Sequence, residues 1–423
     1  MTAAAKLPLT VAETAIVDSF VARMGRLPGN SATIHARDQA VSAIKKGGLP
    51  TRKVEAWHYT DLRRLMKAFP AYNPEAVFTA VDPLIAGSKR IVLGNGKLVE
   101  QADIDEASVT STADALGADV SGVALDNYAS DETIAALNTA FVSDGVQVNV
   151  ADGVALGAPI ELQTLHGGGQ SHTRNGFVFG AGANAMIVDR HLGSADAVTA
   201  TNVTRITLRD GAEVTWVRIQ DQGNAATHLG QIEIELEANA KLTLFVVNFS
   251  GELVREEVHA SVQGEGADLA FRSVNLIGDS SHVDVTLKLD HVTPNTTSTE
   301  TVRNVINGAA QGVFQGQIKV AQIAQKTDAQ MACNTLLLSD EAGISVKPEL
   351  EIFADDVICA HGATVTEISD DHLFYLMARG ISKKSARGLL VKAFVFEIVE
   401  ELEDEALVEA LEARIDTWLE AHG

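Results

Sequence analysis

A small unit recurs along the middle of this chain: a turn, an alanine, then apolar residues at every second position. It occurs at Ala158 (GAPIEL), Ala185 (ANAMIV), Ala212 (GAEVTW), Ala240 (ANAKLTLF) and Ala267 (GADLAF). The near-constant step of about 27 residues marks a solenoid, because one unit can bury its apolar face only by stacking on the next. The content of each unit is strand. HVDVTLKLDHV alternates Val283, Val285, Leu287 and Leu289 with polar residues, as a half-buried strand does. A β-sandwich also supplies many short strands, but nothing in it holds the step constant. The expectation is a mainly β chain whose core, residues 146–366, is a parallel β-helix.

Both flanks read as helical. In residues 1–75, Thr10 and Glu13 form a capping-box pair ahead of Ile16, Val17, Phe20, Val21 and Met24. A second amphipathic run spans Arg37 to Lys46 and stops at Gly47-Gly48, and Thr60 is placed to cap a short helix through Leu65 and Met66. Residues 76–145 form a mixed α/β connecting region. RIVLGNGKLV reads as a hairpin turning at Asn95-Gly96, and a helix is expected near Asp131 to Phe141. Residues 367–423 form a C-terminal helical domain. There Ser369 caps a helix ending at Gly380, and Ser382 caps a longer one whose apolar face is Leu389, Leu390, Ala393, Phe394 and Ile398. The acidic run Glu397, Glu400, Glu401, Glu403, Asp404 and Glu405 reads as a solvated helix face.

The 423 residues carry 56 acidic and 33 basic side chains, a net charge of −23 that repels phosphate backbones and argues against nucleic-acid binding. No apolar run reaches the roughly 18 to 20 residues of a membrane span. The N-terminal stretch lacks the pattern of a signal peptide, and two cysteines suit a reducing compartment, so a cytoplasmic protein is expected.

Those cysteines are Cys333 and Cys359, and DDVICAHGAT sets Cys359 two residues before His361. On a strand such neighbours share a face, with Val357 behind them and roughly 6.5 to 7 Å between them. Both reach toward one metal or cluster with modest leaning. The plain alternative makes Cys359 a small buried hydrophobe and His361 the end of the stack. A cluster or structural zinc wants about four protein ligands. The chain has no CxxC, and Cys333 lies upstream by roughly one coil, so any such site is incomplete without a partner. Asp355 and Asp356 more simply end a strand than ligate. His166, His172, His191, His228, His259 and His282 show no ligand spacing. No GxxxxGK[ST] and no GxSxG occurs.

Five runs carry a resemblance: GLPTRKVEAWHYTDL (48–62), LNTAFVSDGVQVNV (137–150), FQGQIKVAQIAQKTDAQMACNTLLLSD (314–340), VKPELEIFADDVICAHGATV (346–365) and LFYLMARGISKKSARGLLVKAFV (373–395). With them the chain resembles the SufD family, subunits of the SUF iron–sulfur cluster assembly scaffold; the C-terminal run is shared with the sister SufB subunits. The resemblance implies a right-handed β-helix with helical ends and a non-catalytic scaffold subunit. It implies pairing with a SufB-like subunit across the β-helices and with a SufC-like ABC ATPase through the C-terminal helices. Nascent clusters then pass to carrier or apo-proteins. It implies that His361 and Cys359 contribute metal or cluster ligands at the partner interface, His361 the more strongly. Phe374, Tyr375, Arg379 and Gly380 match the ATPase-contacting segment, and Ala378 departs from a serine common there. Cluster type, iron donor, a flavin in the complex and a homodimer of the isolated chain are left open.

Two alternatives come from other classes. A β-helix carbohydrate-active enzyme usually works outside the cytosol. A cytosolic cysteine hydrolase built on Cys359 and His361 needs the two in hydrogen-bond contact, which same-face strand neighbours reach only if the backbone bends.

Overall fold

A computed structural model describes residues 8–118, 125, 132–249 and 251–422. Its core is a solenoid of two sheets. Strands alternate between them as the chain winds, giving ten strands in the first sheet and nine in the second among the described residues. The first sheet ends with strand Ile358–Glu367 and the second with Gly343–Ile352. Core strands pair in parallel with the strand one coil later. The hairpin of strands Lys89–Gly94 and Lys97–Gln101 joins the first sheet, turning at Asn95 (φ 48°) and Gly96 (φ 79°), so the sheets begin within the connecting region.

The registers refine the period. Where Ile160 pairs with Ile187, Glu213 with Lys241 and Lys241 with Asp268, the coil keeps the step read from the alanines. Where Asn184 pairs with Glu213, Thr297 with Asp328 and Asp328 with Ile358, the coil is slightly longer. The alanine equivalent to Ala212 is Ala183, not Ala185: the Glu213 amide donates to Ala183 as the Lys241 amide does to Ala212 and the Asp268 amide to Ala240. Added residues fall in turns, where no stacked neighbour fixes the length.

Every second side chain points into the lumen. One column of register partners runs Ile160, Ile187, Trp216, Leu244, Phe271, Glu300, Met331 and His361. Its apolar members up to Met331 are almost wholly buried. A parallel column is polar. Asn248 donates to Asn275 (2.7 Å), Asn275 to Asn304 (2.8 Å), and Asn304 to Thr335 (3.1 Å) and the Cys333 sulfur (3.4 Å). Each amide donates to the next coil, pairing most of the polar atoms buried there.

Helices cover the outer faces. Eight are described: α1 (Val11–Arg23), α2 (Ser31–Gly47), α3 (Leu62–Leu65), α4 (Thr112–Gly117), α5 (Thr133–Phe141), α6 (Asp370–Ala378), α7 (Lys383–Val399) and α8 (Glu405–His422). The Thr10–Glu13 capping box forms, and Ser369 and Ser382 cap α6 and α7. The cap of α3 is Asp61 rather than Thr60. Thr60 is instead buried, its hydroxyl donating to Asp284 and meeting His282 Nε2 at 2.9 Å. The buried stripe of α7 is Ala386, Val391, Val395, Ile398 and Val399, while Leu389 and Ala393 are exposed. Val391, Val395, Ile398 and Val399 of that stripe and Leu407, Leu411, Ile415 and Trp418 of α8 pack on Val217, Phe245, Val247 and Val274 of the first sheet. Two of the acidic residues are ion-paired, Glu397 to Arg303 and Glu401 to Arg272, each at 2.6 Å, and Asp404 accepts from the Leu407 amide at 2.9 Å. Among the described residues no helix is long and apolar enough to cross a membrane.

Candidate functional site

Cys359 and His361 lie on strand Ile358–Glu367, the last of the first sheet. The lumen-facing positions upstream are sealed by the following coil. These two have no following coil among the described residues, and every residue of the strand is exposed except Cys359, which is half-buried against the core. The preceding strand, Gly343–Ile352, is only half-buried over most of its length. The solenoid therefore ends open, with two edge strands offering unpaired backbone groups. His361 closes the column behind Met331, and Cys359 stands opposite Ala329.

Cys333 takes no part in that site. The strand register sets it opposite Ala363, four positions beyond Cys359. At roughly 3.3 Å per residue the offset is about 13 Å along the strand. Cys333 is buried, and burial pushes its thiol up to about 12 despite the Asn304 amide. Burial also raises the Cys359 thiol, with the Ala329 backbone opposing and the charges of Asp328 and Glu300 adding to the rise. A thiol held protonated is a poor nucleophile, which counts against hydrolase chemistry; it becomes a ligand only when a metal displaces its proton. Among the described residues no three His, Cys, Asp or Glu side chains gather as a metal site. Asp356 contacts Lys326, and its amide donates to Gln325 (2.9 Å), which makes it a turn residue.

Glu300 sits two coils inward from His361 in the same column. Both its oxygens are buried without a well-formed hydrogen bond. Burial raises this carboxyl to about 8, and neighbouring Ser298 and Arg272 offset little of that.

Sequence spacing did not reveal a second lumenal cluster. Arg218 donates to Asp189 (2.7 Å) and Glu256 (3.2 Å), His228 meets Glu256 at 2.6 Å, and His191 meets Asp189 at 3.1 Å. Burial alone would raise Glu256, but Arg218 and His228 hold it at about 2. The signal was the coil step, since Asp189 and Arg218 are register partners on adjacent coils. Carboxylates grip the Arg218 guanidinium from two sides, so the cluster reads as a structural tie across the lumen.

Phe374 and Tyr375 of α6 are 73% and 55% exposed, and the Arg379 guanidinium lies 4.5 Å from the centre of the Tyr375 ring. Gly380, with φ 88°, supplies the left-handed turn after α6. The helix buries only Leu373, leaving an uncovered aromatic patch. The run at residues 48–62 serves another purpose. Arg255 stacks on Trp57, the Ala56 carbonyl accepts from Arg255 (2.7 Å) and Gln315 (3.3 Å), and Glu55 meets Lys347 at 2.5 Å. It fastens the N-terminal segment to the second sheet.

A family model described as SUF system FeS cluster assembly, SufBD core domain, matches residues 163–394. The iron–sulfur cluster assembly protein SufD of Escherichia coli is 28% identical, the match covering 89% of this chain and 91% of that protein. A SufBD family protein of Synechocystis is 27% identical over 88% of each chain. SufB of Bacillus subtilis is 28% identical over 66% of this chain and 61% of its own.

Proposed function

The chain belongs to the SufBD family of the SUF iron–sulfur cluster assembly system, and from that premise we propose that it is a non-catalytic scaffold subunit which pairs end to end with a SufB-like subunit. The observation that carries this reading is the interruption of the lumenal column: His361 and Cys359 occupy the last coil, uncovered, where a partner chain can add the next one. Two parallel edge strands, Gly343–Ile352 and Ile358–Glu367, are the surface a second solenoid of the same geometry can extend. A neutral imidazole ligates iron through a ring nitrogen. The thiol beside it adds a soft donor once metal displaces its proton. Two donors cannot hold a cluster, so the partner supplies the rest, and the nascent cluster is cargo for carrier or apo-proteins.

The exposed α6 patch, Phe374 and Tyr375 with Arg379, is the surface we assign to a SufC-like ATPase, whose hydrolysis drives the assembly. Gly380 sets the angle between that helix and α7. The complex works in a reducing compartment, the cytoplasm. Flavin absorbance of the purified complex checks the remaining cofactor expectation.

Coexpression with SufB-like and SufC-like chains tests the assignment. A stable complex is expected, and charged substitutions on the last strand, such as Ala360→Glu with Thr364→Glu, should expel the SufB-like chain while leaving the ATPase bound. An unaffected complex would place the interface elsewhere.

A further inference from the structure

The N-terminal helices and the segment around residues 69–75 enclose a cavity of about 810 Å³, within the range of small-molecule sites. Its wall contains Arg23, the last residue of α1, which is only 8% exposed. Arg23 Nη1 donates to Gln170 Oε1 (2.7 Å), Nη2 donates to Ser143 Oγ (2.9 Å), and the guanidinium lies 3.8 Å from the centre of the Tyr72 ring. Both acceptors are neutral. Gln170 is itself held, its Nε2 donating to the Pro70 carbonyl (2.6 Å) and to Ser19 Oγ (3.0 Å), so its oxygen is aimed at Arg23.

Arg174, equally buried, donates to the neutral Asn138 Oδ1 (3.0 Å) and Thr139 Oγ1 (3.2 Å) but does not line this cavity, and three further buried guanidinia are treated differently. Arg218 has Asp189 and Glu256, and Arg255 has Glu257 and Asp284. Arg37 donates to the carbonyls of Thr139, Ala140 and Val142 at the negative end of α5. Among the described residues Arg23 has no carboxylate partner and spends two of its five N–H groups. A buried cation without a counter-ion is costly, and burial already lowers Arg23 to about 10, still charged at neutral pH. Exposed Arg26 and Lys97 add positive charge to the wall, and Asp18 and Glu75 add negative charge without pairing to Arg23. Leu27, Phe69, Pro28 and Pro70 supply a stiff apolar side.

We propose that this cavity binds a small organic anion, whose carboxylate or phosphate completes the hydrogen bonding of Arg23 while its apolar body lies against Leu27, Phe69 and the prolines. The site is separate from the open end of the solenoid and stands whether or not the scaffold reading holds.

Titration of the full chain with phenyl phosphate, followed by calorimetry and by thermal melting, tests it. Saturable one-to-one binding and a rise in Tm are expected. Inorganic phosphate, the head alone, should bind at least tenfold more weakly. Arg23→Lys keeps the charge but loses the fork, and should weaken binding about tenfold. The exposed pair Arg26→Gln and Lys97→Gln should weaken it several-fold without altering the fold. Absence of saturable binding at millimolar probe, equal affinity for inorganic phosphate, or affinity unchanged in all these variants would overturn the proposal.

Discussion

The guanidinium of Arg255, on the second sheet, lies 4.0 Å from the ring centre of Trp57, and Asp284 and Glu257 hold it from the other side. Indole and cation are both fully buried, so this contact fastens the N-terminal segment to the solenoid with cation–π and apolar terms together.

Trp57→Ala should therefore destabilise the protein by about 3–5 kcal/mol, the usual range for emptying a buried aromatic site. Urea denaturation measures the loss. Limited proteolysis should show new cleavage within residues 48–62, and resistance equal to the parent chain would contradict the clamp.

Glu300→Gln should remove a pH dependence. The carboxyl sits at about 8 in the folded chain against 4.5 as its ordinary value. Between those values the folded state holds a proton that the unfolded state has lost, so stability falls as pH rises. Below that ordinary value both states are protonated and the penalty vanishes. The variant's advantage should grow with pH and reach about 3 kcal/mol at pH 7, from about 1.4 kcal/mol for each unit of displacement. Denaturation curves from pH 5 to 8 decide it, and a constant difference would refute the assignment.

His361→Ala should fold with unchanged stability, since the ring is exposed at the end of its column. In the reconstituted complex it should lower cluster yield severalfold, read from visible absorbance and bound iron. An unchanged yield would remove His361 from the site.

Alkylation should separate the two thiols. Cys359 is half-buried and Cys333 fully buried with a thiol near 12. Iodoacetamide at pH 8 should label Cys359 first on the free chain. Pairing with the SufB-like subunit should protect it, as peptide mass spectrometry will show.

Phe374→Ala with Tyr375→Ala should weaken ATPase binding tenfold or more while leaving stability within about 0.5 kcal/mol, as exposed positions do. Removing everything from residue 369 would be a poor test. It strips Val391, Val395, Leu411 and Trp418 from the first sheet and exposes an apolar face.

The stacked architecture was legible because a repeated alanine-turn unit reports the coil even when its anchor is slightly misplaced, as at Ala185. Helix ends were legible where a cap is local: Thr10, Ser369 and Ser382 each reach only to the next turn. Thr60 failed because its partner, Asp284, is remote in sequence and meets it only once the solenoid has formed. The apolar face of α7 was right at Ile398 and Phe394 but wrong at Leu389 and Ala393, because its stripe follows the sheet beneath it, which no single-helix pattern encodes. The Cys359–His361 pair was visible as spacing. Its position on an uncovered last coil was not, because exposure there depends on where the stacking stops.

The asparagine line through the lumen bears on how this molecule can change length. Asn248, Asn275 and Asn304 pass hydrogen bonds from coil to coil, so adding one residue inside a strand turns an amide outward and strands its neighbours dry. Evolution is left two permitted edits: padding at the corners, or gain and loss of entire windings.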